Sequence, residues 1–402
     1  MKQAITDLAI LGAPPAFTGK LHVGRPNIGN REKLVERING ILDRRWLTNN
    51  GCCVQEFEQK LADMLGVKHC IAMCNATVAL EITTRALGFK GEVIVPSFTF
   101  VATPHSLQWQ EITPVFCDID PKTHNLDPAC VERMITPRTT GIIGVHLWGR
   151  PCAVEALTEI ARKHNLKLMF DAAHAFGCSH NGRMIGGFGN AEVFSFHATK
   201  FFNTLEGGAV ATDDDELAAK IRLMKNFGFS GLDNVIYVGT NGKMNEVCAA
   251  MGLTGLDSLD EFIAVNRCNY FTYRQGLHGV PGVRMITYDE VEKNNFQYIV
   301  FEIDEEIAGI DRDTLISVLH AENVLARRYF YPGCHRMEPY RSYYPHAGLL
   351  LPHTEGLVSR VISLPTGSGV TAEEIEEICT IIRLAIENSS SLSLVRVPSD
   401  GA

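Results

Sequence analysis

No stretch of this 402-residue chain approaches the ~20 consecutive apolar residues that a membrane-spanning helix requires. The N-terminus, Met1-Lys2-Gln3-Ala4-Ile5-Thr6-Asp7-Leu8, lacks the apolar core of a signal peptide because Asp7 interrupts it. Basic charge is also scarce. Lys and Arg total 37 against 46 Asp and Glu, for a net charge of −9, which argues against nucleic-acid binding but leaves room for a small anionic ligand at a helix N-terminus. Twelve cysteines are present without a single CxxC pair, and Cys52-Cys53 is the one close couple. Scattered in a chain of this size they read as reduced thiols of a cytoplasmic protein rather than a disulfide framework. A glycine-rich dinucleotide fingerprint, a P-loop and an HExxH helix are all missing, which disfavours a nicotinamide dehydrogenase, an NTPase and a zinc hydrolase.

What is present is a rhythm. Short apolar runs recur at 69–73, 92–95, 113–117, 141–146, 167–170, 191–196 and 208–212. Helical patterns separate several of them, at 77–87, 128–134 and 154–164. Such alternation predicts an α/β domain with a mainly parallel seven-stranded sheet covered on both faces. The last two runs follow one another without a helix, so one of them is expected to be antiparallel. At 402 residues the chain exceeds the size of a single core. The expected division is an extended arm over residues 1–30, a large domain over 31–276, a smaller α+β C-terminal domain over 277–388 and a disordered Ser-rich tail over 389–402. Helices are expected to dominate from 216 to 276. Strands of the small domain are placed at 283–287, 297–303, 324–329 and 361–364.

Two segments carry chemistry. In Ser195-Phe-His-Ala-Thr-Lys200 a lysine follows a short apolar strand, where a loop presents its amine to a cavity. In Met169-Phe170-Asp171-Ala172-Ala173-His174 a strand delivers an acid at its carboxyl end, the place where α/β folds put their chemistry. An amine able to form a Schiff base, together with a carboxylate able to keep a ring nitrogen protonated, is what pyridoxal phosphate asks of a protein. Taken alone, Asp171 reads equally as a helix N-cap and His174 as an ordinary polar histidine. Cys74-Asn75-Ala76-Thr77 leads from a strand into a helix, where amides and a hydroxyl bind a phosphate or simply cap the helix. Ser195 offers a second hydroxyl. Phe98 and Phe100, after the strand ending near Val95, are either core residues or a platform for a ring. The run Gly239 to Glu246 reads as a polar loop.

In combination, Val95-Pro96-Ser97-Phe98-Thr99-Phe100, Asp171-Ala172-Ala173-His174-Ala175, Ser195-Phe196-His197-Ala198-Thr199-Lys200 and Glu206-Gly207-Gly208 closely resemble the DegT-type nucleotide-sugar aminotransferases. That resemblance spans nearly the whole chain and implies the aspartate aminotransferase fold (fold type I) with pyridoxal 5'-phosphate as cofactor. It implies that Lys200 forms the Schiff base and later shuttles the proton, that Asp171 pairs with the pyridinium, that His174 contacts the phenolic oxygen and that Phe100 stacks on the ring. Ala76, Thr77 and Ser195 would hold the phosphate, joined by Asn241 from the partner subunit of a homodimer with composite active sites. Many relatives carry arginine where this chain has Lys243. His197 and Glu206 resemble the members that aminate carbon 4 rather than carbon 3, and His197 and His335 would face the substrate. The resemblance further implies dTDP-4-keto-6-deoxyglucose as acceptor and L-glutamate as amino donor in a ping-pong transamination. A related sugar dehydratase would have histidine in place of Lys200.

Overall fold

The computed structural model describes residues 1–392. Seven strands, His69–Met73 (β1), Glu92–Pro96 (β2), Thr113–Cys117 (β3), Thr139–Val145 (β4), Lys167–Asp171 (β5), Ala191–Ser195 (β6) and Gly208–Thr212 (β7), form the main sheet in the order β1-β7-β6-β5-β4-β2-β3. All are parallel except β7, which runs antiparallel to both β1 and β6. The expected antiparallel strand is therefore the last one.

Side-chain alternation explains why helices lie on both sides. Ile71, Met73, Val193 and Val210 point to one face and pack with the helices Ala76–Leu87 and Asp215–Met224. Cys70, Ala72, Phe194 and Ala209 point to the other, against the helices Cys52–Leu65 and Glu246–Asp257. A sheet buried on both faces must be apolar at consecutive positions, as Val93, Ile94 and Val95 are.

A second, antiparallel sheet consists of Val283–Met285 (β8), Ile299–Ile303 (β9) and Val361–Leu364 (β10), in the order β8-β9-β10. The helices Arg312–Ala321 and Ala372–Glu387 contribute Leu315, Leu319, Ile378 and Ile382 to its core.

Several expectations needed correction. Residues 1–30 are not simply extended: they make two 3₁₀ turns, Ile5–Asp7 and Ala9–Leu11, and bury Leu8 and Leu21 among the small-sheet residues. Glu322 anchors this segment by accepting from Ala9 N at 2.7 Å and Ala16 N at 2.6 Å. The strand expected at 324–329 is only Val324–Leu325, paired with Leu21–His22, because the arm offers just those two residues as a partner. Beyond them the chain turns to bring Phe330 against Phe98 and Trp148.

Residues 225–245 are irregular rather than helical. Gly228, at φ +81°, leaves no room for a side chain beside the Tyr237 carbonyl, where a Cβ would lie 1.8 Å away. A helix at Ala102–Gln108 was not anticipated. Of the tail expected to be disordered, Ser389–Leu392 continues as a helical turn with Leu392 buried, and residues 393–402 lie outside the described residues. Among the described residues no helix is long and apolar enough to cross a membrane.

Candidate active site

The carboxyl ends of the parallel strands form one crest, and the sheet register decides what meets there. Gly208 at the start of β7 sits between Ser195, the last residue of β6, and Met73, the last of β1. Ser195 is thereby brought beside the turn that leads into the helix Ala76–Leu87. A Cβ on Gly208 would lie 2.7 Å from Ala76 N, so the glycine is what allows the helix start to approach the strand. Asn75 caps this helix by accepting from Val78 N at 2.8 Å. The N–H groups of Ala76 and Thr77 have no intrahelical acceptor, and with the helix dipole behind them they suit a phosphate. Asn75, one residue before the helix in the Cys74-Asn75-Ala76-Thr77 turn, is the cap itself.

Asp171 ends β5 and is buried. Its Oδ2 accepts from Thr103 Oγ1 at 2.8 Å and its Oδ1 from Ala173 N at 3.0 Å. Burial raises its pKa, opposed by those two hydrogen bonds and by the charge of Lys200. A protonated ring nitrogen is the kind of donor that would settle such a carboxylate. Thr103 was missed because the unanticipated helix Ala102–Gln108 is what carries it to Asp171.

His174 stands three residues on, and its Nδ1 accepts from Trp148 N at 3.3 Å, which puts the ring proton on Nε2. Burial, and after it the charge of Lys200, holds its pKa well below the ordinary histidine value. The neutral ring thus offers one N–H donor, the role needed at a phenolic oxygen. Trp148 occupies the left-handed region at φ 61°, in a tight turn after β4 that stacks its indole against His174 at 5.7 Å.

Lys200 lies in the loop after β6, and its Nζ donates to Tyr298 Oη at 2.9 Å. Burial lowers its pKa to about 8, with Asp171 pulling the other way. Tyr298, whose ring centroid is 4.2 Å from that of His174, lies near the start of the small-sheet strand β9. Nothing local in the sequence marks it as a site residue.

The remaining candidates divide. Phe98 is core, packed on Trp148 and Phe330, whereas Phe100 is 59% exposed just before the helix at 102. His197 is exposed and pairs with Glu206, Nε2 to Oε1 at 3.4 Å, which joins the two positions singled out in the sequence. Asn241 is exposed in a loop whose next residue, Gly242, accepts from Cys74 N at 2.8 Å. His335 is buried with both ring nitrogens engaged, Nδ1 with Ser97 Oγ at 2.6 Å and Nε2 with Glu355 Oε1 at 2.5 Å. It ties the segment after β2 to the helix Pro352–Val358 and has no ring nitrogen left for a substrate. Glu246, read as part of a polar loop, is fully buried and caps the helix Cys52–Leu65 through Cys53 N at 2.9 Å and Val54 N at 3.0 Å.

A half-buried amine with a lowered pKa, a buried strand-end acid, a neutral histidine and an open helix N-terminus on one crest of a fold-type-I sheet define a pyridoxal-phosphate aminotransferase. The chain belongs to the DegT/DnrJ/EryC1/StrS aminotransferase family, whose model matches residues 29–383. It is similar to a dTDP-4-amino-4,6-dideoxy-D-glucose transaminase of Shigella dysenteriae, with 38% identity over 90% of this chain and 98% of the relative. A GDP-perosamine synthase of Caulobacter vibrioides is 35% identical over 89% of this chain and 96% of its own length. Among solved structures, that of DesI in the presence of its TDP-sugar product superposes with a TM-score of 0.93 at 52% identity, covering 97% of this chain and 99% of the other.

Proposed function

We propose that this protein transfers an amino group from L-glutamate to carbon 4 of a nucleotide-linked 4-keto-6-deoxy sugar, dTDP-4-keto-6-deoxyglucose, giving an equatorial amine. The observation that carries the reading is the crest itself: Lys200, Asp171 and His174 are held together in a chain so similar to enzymes named for that 4-amino sugar.

In this reading residues 31–276 carry the cofactor, residues 277–388 supply Tyr298 from the facing side, and the arm closes the rim. Ala76 N, Thr77 and Ser195 would hold the phosphate, Asp171 would pair with the ring N–H, His174 would donate to the phenolic oxygen and Phe100 would cover the ring. When bound, pyridoxal phosphate supplies an electron sink that acidifies the α-hydrogen of the amino donor. Lys200 is the base that moves this proton, and a pKa of about 8 leaves a useful fraction of its amine neutral near neutral pH. Thr103 fixes the Asp171 carboxylate in one orientation, and Tyr298 holds Lys200 Nζ on the small-sheet side. His197 and Glu206 form a polar pair at the mouth, where the sugar would pass. The presence of Lys200, rather than a histidine, speaks against the dehydratase alternative.

The working unit is a homodimer. Supporting this are the exposed apolar residues Phe227, Val235, Ile236 and Val238 in the irregular segment that leads to Asn241, and the openness of Phe100 at the site. Such a surface suits a partner that brings its Asn241 to the phosphate. All twelve cysteines are free thiols, which agrees with a reducing, cytoplasmic workplace.

The decisive experiment incubates cofactor-loaded protein with L-glutamate and a panel of 4-keto and 3-keto nucleotide sugars, followed by mass spectrometry and NMR of the product. An amine on carbon 4 is expected, and one on carbon 3 would overturn the reading of His197 and Glu206. Mixing Lys200→Ala with Asn241→Ala chains tests the composite site. Activity above the sum of the two parents is expected, and no gain would place Asn241 in its own chain's site.

A further inference from the structure

Trp148 gives both of its N–H groups to histidines. Its backbone N donates to His174 Nδ1 and its indole Nε1 to His124 Nδ1, each at 3.3 Å. An indole N–H can only donate, so His124 Nδ1 is an acceptor and the ring proton lies on Nε2. That proton goes to Glu302 Oε1 at 2.9 Å, on the small-sheet strand β9. Glu302 also accepts from Arg284 Nη2, on β8, at 2.6 Å. His124 and Glu302 are both buried, and the transamination reading gives neither of them a task.

The turn that carries Trp148 is strained and braced. Trp148 and His124 have φ of 61° and 62°, in the left-handed region that bulky side chains rarely adopt. Such residues persist only where their surroundings over-determine them. Asn125, next to His124, supplies part of the brace. Its Oδ1 accepts from Leu147 N at 3.0 Å and its Nδ2 donates to the Pro151 carbonyl at 2.8 Å, one bond on each side of Trp148. The Tyr288 hydroxyl stands 3.1 Å from the Trp148 carbonyl and 3.0 Å from that of Tyr298. The indole then stacks on His174 at 5.7 Å and meets the Tyr298 ring edge-on at 5.3 Å. His174 and the partner of Lys200 are thus both set against one tryptophan.

We propose that His124 is a positioning residue for transamination: by holding the Trp148 indole it keeps the Trp148 backbone N–H on His174 Nδ1, and so keeps the Nε2–H of His174 directed at the cofactor's phenolic oxygen. Glu302 fixes the His124 ring from the small sheet. The inference rests on the transamination reading above. Without an acceptor for the indole, the strained turn is free to relax. His174 can then take its other tautomer, in which Nε2 accepts and the phenolic oxygen loses its donor.

Three variants test this. His124→Leu deletes the acceptor, His124→Asn restores one where Nδ1 stood and tolerates the left-handed backbone, and Trp148→Phe deletes the donor. The readout is the pH midpoint of the visible absorbance of cofactor-loaded protein, which a merely structural role would not move. Lys200 and Tyr298, the titratable groups against His174, are untouched by these changes. A phenolic oxygen without its donor holds a proton more tightly, so the midpoint should rise by about half a unit or more in His124→Leu and in Trp148→Phe. The double variant should move no further than either single one, and His124→Asn should stay near the wild-type midpoint. In cofactor-free protein Trp46 and Trp109 are exposed, so emission that is shielded from acrylamide and absent from Trp148→Phe belongs to Trp148. It should shift to the red in His124→Leu and return in His124→Asn. An unchanged midpoint in either deleting variant, or equal shifts in His124→Leu and His124→Asn, overturns the assignment. Trp148→Phe keeps the test decisive if His124→Leu fails to fold. A wild type with no visible band in the presence of pyridoxal phosphate overturns the transamination reading itself, independently of the variants.

Discussion

The two sides of Lys200 are built by different means. On the sheet side, Asp171, Ser195 and the helix start at Ala76 stand at strand ends whose register is set by backbone pairing, and their partners Thr103 and Asn75 lie on helices packed against the same sheet. On the arm side, Arg25 and Arg327 extend from irregular backbone beside the short strand pair of Leu21–His22 with Val324–Leu325, and their charged ends are exposed. Desolvation on the first side shifts pKa values: Asp171 up, His174 and Lys200 down. The second side keeps its charges in water.

Substitutions can break this contrast. The largest effect belongs to Lys200→Ala, which should abolish multiple turnover and the visible absorbance of lysine-linked cofactor while the phosphate site still holds cofactor. Normal turnover would remove Lys200 from the mechanism. Asp171→Asn comes next. A neutral amide no longer favours the protonated ring nitrogen, and kcat should fall by at least on the order of 100-fold with every amino donor. A wild-type rate would reduce the acid to a turn-forming residue. Thr103→Val removes one hydrogen bond to a buried carboxylate, about 1.5–3 kcal/mol, so a loss of roughly ten- to a hundredfold in kcat is expected. An unchanged kcat would mean that the hydrogen bond from Thr103 does not matter to the acid's role.

The smallest effect is on stability and runs the other way. The Lys200 amine is held near 8, below its ordinary value, so the unfolded chain binds the proton more tightly between about pH 8 and 10.5. Stability should therefore rise with pH across that window, and below it the native state carries the full penalty. Lys200→Met removes the penalty. Cofactor-free Lys200→Met protein should be more stable than wild type at pH 7 by up to roughly 3 kcal/mol, at 1.36 kcal/mol per pKa unit. Denaturant melts at pH 7 and pH 10.5 should find the gap closing at the higher pH. A constant gap would mean that the amine is solvated.

Much of the crest was legible because its groups are tied to strand ends. An apolar run followed by Asp171, or by Ser195 and the loop to Lys200, marks a position on the sheet as well as a residue type. The seven strands were legible for the same reason, being short apolar runs separated by helical patterns. Helices were expected to dominate from 216 to 276, yet residues 225–238, with Phe227, Phe229, Val235, Ile236 and Val238, are irregular because their backbone is committed to bridges such as Asn226 with Asn241, whereas the loop read at 239–246 stands as far as Asn245. His335 looked like a substrate residue in its motif, yet Ser97 and Glu355 take both nitrogens from parts of the chain no local reading connects to it.

By itself the amino-acid sequence determined the alternating α/β plan, the candidate lysine and acid, and the absence of any dinucleotide fingerprint, because periodicity and motif spacing are local properties of the chain. The tertiary structure alone decided that Thr103 orients Asp171, that Tyr298 receives Lys200 and that Arg25 meets Arg327 across one cavity. These are contacts between residues distant in the chain. They depend on how the arm and the small sheet close on the large one, and hydrophobic burial sets that closure without a local signal in the residues it brings together.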